Sequence, residues 1–369
     1  MRTVAVFFGG NSSEHEISII TGVYAVNLLR GAGYCVLPVF LDDENAMWLG
    51  EKVRSIDDFK DYDEKKFRAV RLVKGGIAFE RKMSKKMEVD CALNCCHGGL
   101  GEGGGLAALL EWYGIVSASP QMTGSAVFLD KAIAKAVLKG LDIPVVPSVT
   151  VREVEWSKNQ SVQISAVEEK LGYPVIVKPS KLGSSVGISV AKNVEELKKS
   201  LEFSFRLDGT ALIEKYLEGK RDLNCAAYRR NVDILLSDVE EVFSNQPILT
   251  FGEKYEGGSA RTSKQPAEIP LNISEKIGEY LCRIYNAFEL RGIVRADFLL
   301  YGEEIYFNEL NTVPGTLATY LYGESLLASR KLLERLIEDA IARGIGQKET
   351  VRSGILERQS FGGKSAKLR

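Results

Sequence analysis

Four residues in two closely spaced pairs carry the strongest chemistry in this 369-residue chain: Arg295 with Asp297, and Glu309 with Asn311. Residues i and i+2 of a strand share a face, so each pair projects together, and a turn at Tyr301, Gly302 and Glu303 sets the second strand beside the first. Two carboxylates, an amide oxygen and a guanidinium then occupy one surface. Hard oxygen donors of this kind hold Mg²⁺, which keeps waters and binds jointly to substrate phosphates. A salt-bridged outer hairpin face would use the same residues. The following turn, Thr312-Val313-Pro314-Gly315, favours chemistry, because it could present the Gly315 N–H to a developing oxyanion.

A second group is the stretch from Lys178 through Ser180, Lys181, Gly183, Ser184 and Ser185 to Gly187. Glycine lets backbone N–H groups approach a phosphate, the lysine adds a point charge, and the serines add hydroxyl donors. It is not a Walker loop, since no Gly-Lys-Ser/Thr opens a helix, and a surface hairpin rich in turn formers is the competing reading. Near the start, Gly9-Gly10-Asn11-Ser12-Ser13-Glu14-His15-Glu16 reads as a strand-to-helix turn, where acids at a helix N-terminus are also expected as caps. The chain has two histidines, and both His15 and His97 fall in glycine-rich turns after strands, which suggests a site at one sheet edge. Gly99-Leu100-Gly101-Glu102-Gly103-Gly104 matches GxGxxG. It lacks the ribose-binding acid about 20 residues on, so an NAD-dependent oxidoreductase is a minor alternative.

The elements that must position these groups follow from periodicity. Residues 4–8 form an apolar run, 17–29 carry helical spacing, and 34–40 read as a strand, giving a βαβ opening. A strand over 89–95, a glycine-rich loop and a helix over 106–113 complete an N-terminal parallel α/β domain, residues 1–120. Strands and helices alternate through a smaller α+β unit, residues 121–212. Long alternating strands and a last helix from about 324 to 342 make a third unit, residues 213–346. Residues 347–369, with six Lys/Arg against two Glu, read as a solvated basic tail.

Composition narrows the function classes. Lys+Arg 48 against Asp+Glu 49 gives a net charge of -1, which argues against a nucleic-acid partner. No apolar run approaches the roughly 18 residues of a membrane span, and the start lacks a signal-peptide core. The six cysteines have neither zinc nor redox spacing and read as free thiols. The expectation is a cytoplasmic protein with no membrane partner.

Taken in order, these motifs resemble the D-alanine–D-alanine ligases of the ATP-grasp superfamily over roughly residues 3 to 345. The resemblance implies a three-domain ATP-grasp architecture, α/β with α+β domains, that clamps ATP between two sheets. It implies Lys131, Lys178 and Ser184 on the phosphates; Glu214, Lys215, Tyr216 and Leu217 around adenine; and Asp222, where the family usually has Glu, on ribose. Asp297, Glu309 and Asn311 would hold two Mg²⁺, with Mn²⁺ substituting. Glu14 would take the ammonium of a first D-alanine, with His97 near its carboxylate. Ser185 and Tyr255 would close the site with Glu14, while Arg295 and Gly315 stabilise the oxyanion. Lys254 and Tyr320 fall to the second substrate, Tyr320 standing where the family has serine. Gly103 and Ala107 also depart from the family pattern. The implied activity is ATP-dependent joining of two D-alanines through a D-alanyl phosphate for peptidoglycan precursors, in a homodimer. A paralogue using D-serine or a D-hydroxy acid as acceptor, and a nucleotide-binding protein without ligase activity, are the alternatives.

Overall fold

The computed structural model describes residues 1–60, 66–81, 84–243 and 262–345. Among them the chain builds three sheets, each the floor of one stretch of sequence. The first contains β1 (Thr3–Gly9), β2 (Cys35–Leu41), β3 (Met47–Leu49), β4 (Arg68–Val73), β5 (Gly76–Phe79), β6 (Met87–Glu88) and β7 (Cys91–Asn94), in the order β6-β5-β4-β3-β2-β1-β7. Val4 to Phe8 are wholly buried, as an unbroken apolar run in a central parallel strand should be. The parallel reading holds only for β2-β1-β7. β3 to β6 form an antiparallel meander, each strand pairing with the one before it in sequence.

The second sheet is antiparallel, in the order β10-β9-β11-β8, from β8 (Ser148–Arg152), β9 (Val175–Pro179), β10 (Ser189–Ala191) and β11 (Thr210–Lys215). Its apolar face, Val151, Val177 and Ile213, packs with Leu197 and Leu201 of the helix Val194–Phe205. The third sheet holds β12 (Arg221–Arg230), β13 (Asp233–Leu236), β14 (Glu240–Phe243), β15 (Thr262–Lys264), β16 (Ile293–Tyr301) and β17 (Glu304–Asn311). Its order is β15-β14-β12-β16-β17, with β13 beside β12. The helix Leu271–Ala287 covers this sheet with Ile273, Ile277, Leu281 and Ile284, the spacing of one helical stripe.

The last helix, Leu326–Arg343, does not stay with the third sheet. Its Leu332, Leu333, Leu336 and Ile337 join one core with Val4, Val26 and Leu29 of the first unit and with Ala226 and Tyr228 of the third. A shared apolar core therefore joins the first unit to the third. A single such core resists hinge motion between its two sides.

Helix His15–Gly31 lies directly on β1, and at Gly22 the approach is so close that an added Cβ would overlap the Phe8 ring. Gly22→Ala should therefore destabilise the fold by about 1–3 kcal/mol, the usual cost of overpacking a core. Urea unfolding checks this. An unchanged midpoint would show that helix and strand can separate at little cost.

Candidate active site

The three sheets converge on a cavity of about 530 Å³. The β16–β17 hairpin supplies one wall, with Arg295 opposite Asn311 and Asp297 opposite Glu309. Arg295 grips Asp297 with two bonds, Nε to Oδ1 at 2.7 Å and Nη2 to Oδ2 at 2.8 Å, and Asn311 Nδ2 donates to Oδ2 at 3.2 Å. Burial alone would lower the Arg295 pKa, but Asp297 outweighs it and holds the guanidinium charged. Glu309 lies 3.5 Å from the Lys131 ammonium. Two carboxylates and an amide on one strand pair, facing a cavity with basic groups opposite, form a hard oxygen set that fits Mg²⁺ or Mn²⁺ together with a phosphate ligand.

The register slips after Asp297, leaving Asn308 without a cross-strand partner. This bulge turns both Asn308 and Glu309 to the cavity, which strict alternation forbids. Asn308 then accepts from Lys178 Nζ at 3.2 Å.

Opposite stands the second sheet. Lys178 and Lys135 both pair with Glu214, a carboxylate only 2% exposed. Burial works against the Glu214 charge, yet the two lysines pull its pKa down to about 2. Burial also opposes the Lys178 charge, and Glu214 reverses that shift upward. Lys135 escaped the sequence reading because it sits mid-helix at an apolar-looking position. Lys131 is placed by its helix start: Asp130 caps Ala132 and Ile133 and accepts from Ser180, and Lys131 Nζ donates to the Leu182 carbonyl at 2.6 Å. Lys215, Leu217 and Asp222 also line the cavity, with Asp222 paired to Lys220, whereas Tyr216 is not among the lining residues.

The first sheet closes the third side. Glu14 precedes helix His15–Gly31 and accepts from Ser184, while added Cβ atoms on Gly98 or Gly183 would strike its carboxylate. Ser184 bonds Glu14, and Ser185, expected to join Glu14, lines the cavity beside it. The two histidines part company. His15 bonds the Gly10 carbonyl and packs edge-on to Phe40, a structural role. His97 is buried in the cavity wall, its Nε2 2.8 Å from Thr21 Oγ1, and burial together with Arg295 lowers its pKa to about 3. Its ring is neutral at physiological pH.

Glu102, seen in sequence only as part of a glycine motif, ties the two ends of the site together. It accepts from Gly98 N at 2.8 Å and from Thr312 N and Val313 N, each at 3.1 Å. The turn it holds continues to Gly315, where an added Cβ would meet nothing, and to the half-buried Tyr320. Between them Thr316, Leu317 and Ala318 are left-handed, with φ of 47°, 53° and 47°. Such backbone costs on the order of 1–3 kcal/mol per residue and persists only where its surroundings fix it. Lys254 and Tyr255 lie outside the described residues.

The arrangement can bind an anionic phosphate chain beside a cationic group that faces Glu14. Known proteins match the chain. A family model described as D-ala D-ala ligase N-terminus matches residues 3–118, and one described as D-ala D-ala ligase C-terminus matches residues 137–342. A D-alanine–D-alanine ligase of Thermosipho melanesiensis is 30% identical, covering 93% of this chain and 94% of that one. The crystal structure of a D-alanine–D-alanine ligase from Helicobacter pylori superposes with a TM-score of 0.76 at 30% identity, covering 92% of this chain and 98% of that one. A D-Ala:D-Ser ligase from Enterococcus faecalis shares the fold at a TM-score of 0.74 and 24% identity, covering 92% and 98%.

Glu102 yields a pH prediction. Burial and then the neighbouring Glu14 raise its pKa from 4.5 to about 7, against the opposing backbone bonds. The unfolded carboxyl ionises at the lower value, so folding takes up a proton between the two. The associated stability is full below 4.5 and lost as pH rises through about 7. Glu102→Gln removes this term. Its urea midpoint relative to the parent protein should rise steadily from pH 4.5 to pH 7. A constant difference would show that Glu102 is ionised throughout.

Proposed function

The chain belongs to the D-alanine–D-alanine ligase family, and from that membership we propose that it uses ATP to join two D-alanines into D-alanyl-D-alanine for peptidoglycan precursor synthesis. The observation that supports this reading is the meeting, in one cavity, of the Glu14 carboxylate, the ammonium groups of Lys131 and Lys178, and the Asp297–Glu309–Asn311 oxygen set.

A carboxylate does not accept an amine until one oxygen becomes a leaving group. In this reading Lys131, Lys178 and Ser184 hold the triphosphate, Lys215, Tyr216 and Leu217 border the adenine, and Asp222 holds ribose. Glu214 acts one step back, fixing Lys178. Asp297, Glu309 and Asn311 would hold two Mg²⁺, or Mn²⁺, whose charge offsets that of the transferring phosphoryl group. Glu14 binds the ammonium of the first D-alanine and the neutral His97 lies near its carboxylate. A carboxylate oxygen attacks the γ-phosphorus, ADP leaves, and an acyl phosphate forms. The amine of the second D-alanine then attacks the carbonyl carbon and loses a proton. Arg295 and the Gly315 N–H stabilise the tetrahedral oxyanion, and phosphate departs.

Ser185 and Tyr255 would help close the cavity, excluding the water that would hydrolyse the intermediate. Lys254 and Tyr320 would take the acceptor carboxylate. Tyr320 places a phenol where the family has serine and so favours a second reading in which D-serine or a D-hydroxy acid is the acceptor; an amine acceptor, D-alanine ahead of D-serine, fits better than a hydroxy acid, because Tyr255 is retained. We also propose a cytoplasmic homodimer. Among the described residues no helix is long and apolar enough to cross a membrane. Leu109 and Trp112, exposed three residues apart on one helix, supply an apolar face for a second copy.

The test is phosphate release from ATP and Mg²⁺ with a panel of D-amino and D-hydroxy acids, products identified by mass. D-Alanine alone should suffice. Asp297→Asn and Glu309→Gln should abolish release without unfolding the protein, and Tyr320→Phe should raise the acceptor KM roughly tenfold, ~1.4 kcal/mol, leaving the donor KM unchanged. Release with none of the panel would overturn the ligase reading; a preference for D-lactate would overturn the acceptor.

A further inference from the structure

Thr21 is fully buried in the middle of helix His15–Gly31 and yet lines the cavity. A helical threonine ordinarily turns its hydroxyl to the carbonyl four residues back. Here the hydroxyl bonds across the cleft instead. Thr316 N donates to Thr21 Oγ1 at 3.3 Å, and the same oxygen lies 2.8 Å from His97 Nε2. One turn along the same helix face, Tyr24 Oη lies 2.9 Å from Thr319 Oγ1. The first helix thus meets both ends of the left-handed segment Thr316, Leu317 and Ala318, with Thr21 at its first residue and Tyr24 just past its last.

Three consecutive non-glycine residues in this conformation relax unless something outside the segment holds them. Resting on the proposed reaction, we infer that Thr21 is a positioning residue: its hydroxyl fixes the turn that carries Gly315 and Tyr320, and by sharing that hydroxyl with His97 it sets the acceptor side from the donor side. A hydroxyl suits this task because it has two lone pairs and one proton, enough to accept the Thr316 N–H and still bond the ring nitrogen. Valine has the same shape and neither capacity. The leucine and alanine of the segment are buried, so movement of the turn must also move its apolar anchor.

The experiment compares the parent protein with Thr21→Val and Thr21→Ser by hydrogen exchange and mass spectrometry over residues 312–321. Thr21→Val should speed exchange at the Thr316 amide about tenfold, the loss of one buried hydrogen bond, and Thr21→Ser should restore protection. In turnover Thr21→Val should raise the acceptor KM by a similar, roughly tenfold factor, with the Ser variant near the parent value. Equal exchange in the parent and Thr21→Val overturns the inference. If Thr21→Val does not fold, the parent protein alone decides: a Thr316 amide exchanging at the rate of open chain overturns the inference, and a protected one supports it. Exchange is read without turnover, so a parent protein that makes no dipeptide defeats the ligase reading while the exchange data still decide the role of Thr21 in holding the turn.

Discussion

The buried carboxylate of Glu214, held between Lys135 and Lys178, is the interaction on which the site depends. Three charges withdrawn from water survive only in company: removing the acid would leave two ammonium groups facing each other in a poorly solvated wall. Each partner comes from a different place, Glu214 from β11, Lys178 from β9 and Lys135 from the helix Lys131–Lys139. Lys178 then reaches Asn308 on the third sheet. One acid therefore sets how a lysine from the second sheet is presented across the cavity to the third.

The same logic governs the rest of the cavity wall. Asp297 pairs with Arg295 and holds its guanidinium charged, and Glu309 lies near Lys131. Because these groups are oriented before any ligand arrives, little reorganisation accompanies a change of charge in the cavity, which is the condition for strong electrostatic stabilisation. Acids and bases alternate across the space: Glu14 and Glu102 on the first side, lysines on the second, acids with a guanidinium on the third.

Much of this was legible in the sequence. The β16–β17 hairpin and its two same-face pairs followed from period two and a glycine turn; the register that sets Arg295 opposite Asn311 and Asp297 opposite Glu309 came from the structure. Asn308 was hidden because a bulge is a departure from the very alternation used to read the strand. His15 and His97 looked alike as glycine-flanked histidines; what separates them is that His15 meets the carbonyl of nearby Gly10, while His97 meets the buried hydroxyl of Thr21, a contact far apart in sequence. Thr21 and Lys135 sit inside helices where pattern predicts packing. The return of the last helix to the first sheet was equally invisible, since amphipathicity shows that a face is buried and not against what.

In the proposed reaction this cavity turns one carboxylate oxygen into part of a leaving phosphate before the amine attacks. D-Alanine carrying ¹⁸O in both carboxylate positions, turned over with unlabelled ATP and Mg²⁺, tests it directly. If the carboxylate attacks phosphorus, the bridging oxygen leaves with phosphate, and each phosphate formed must carry one ¹⁸O while the dipeptide's new amide keeps the other. Phosphate free of label, formed in step with dipeptide, would contradict the account.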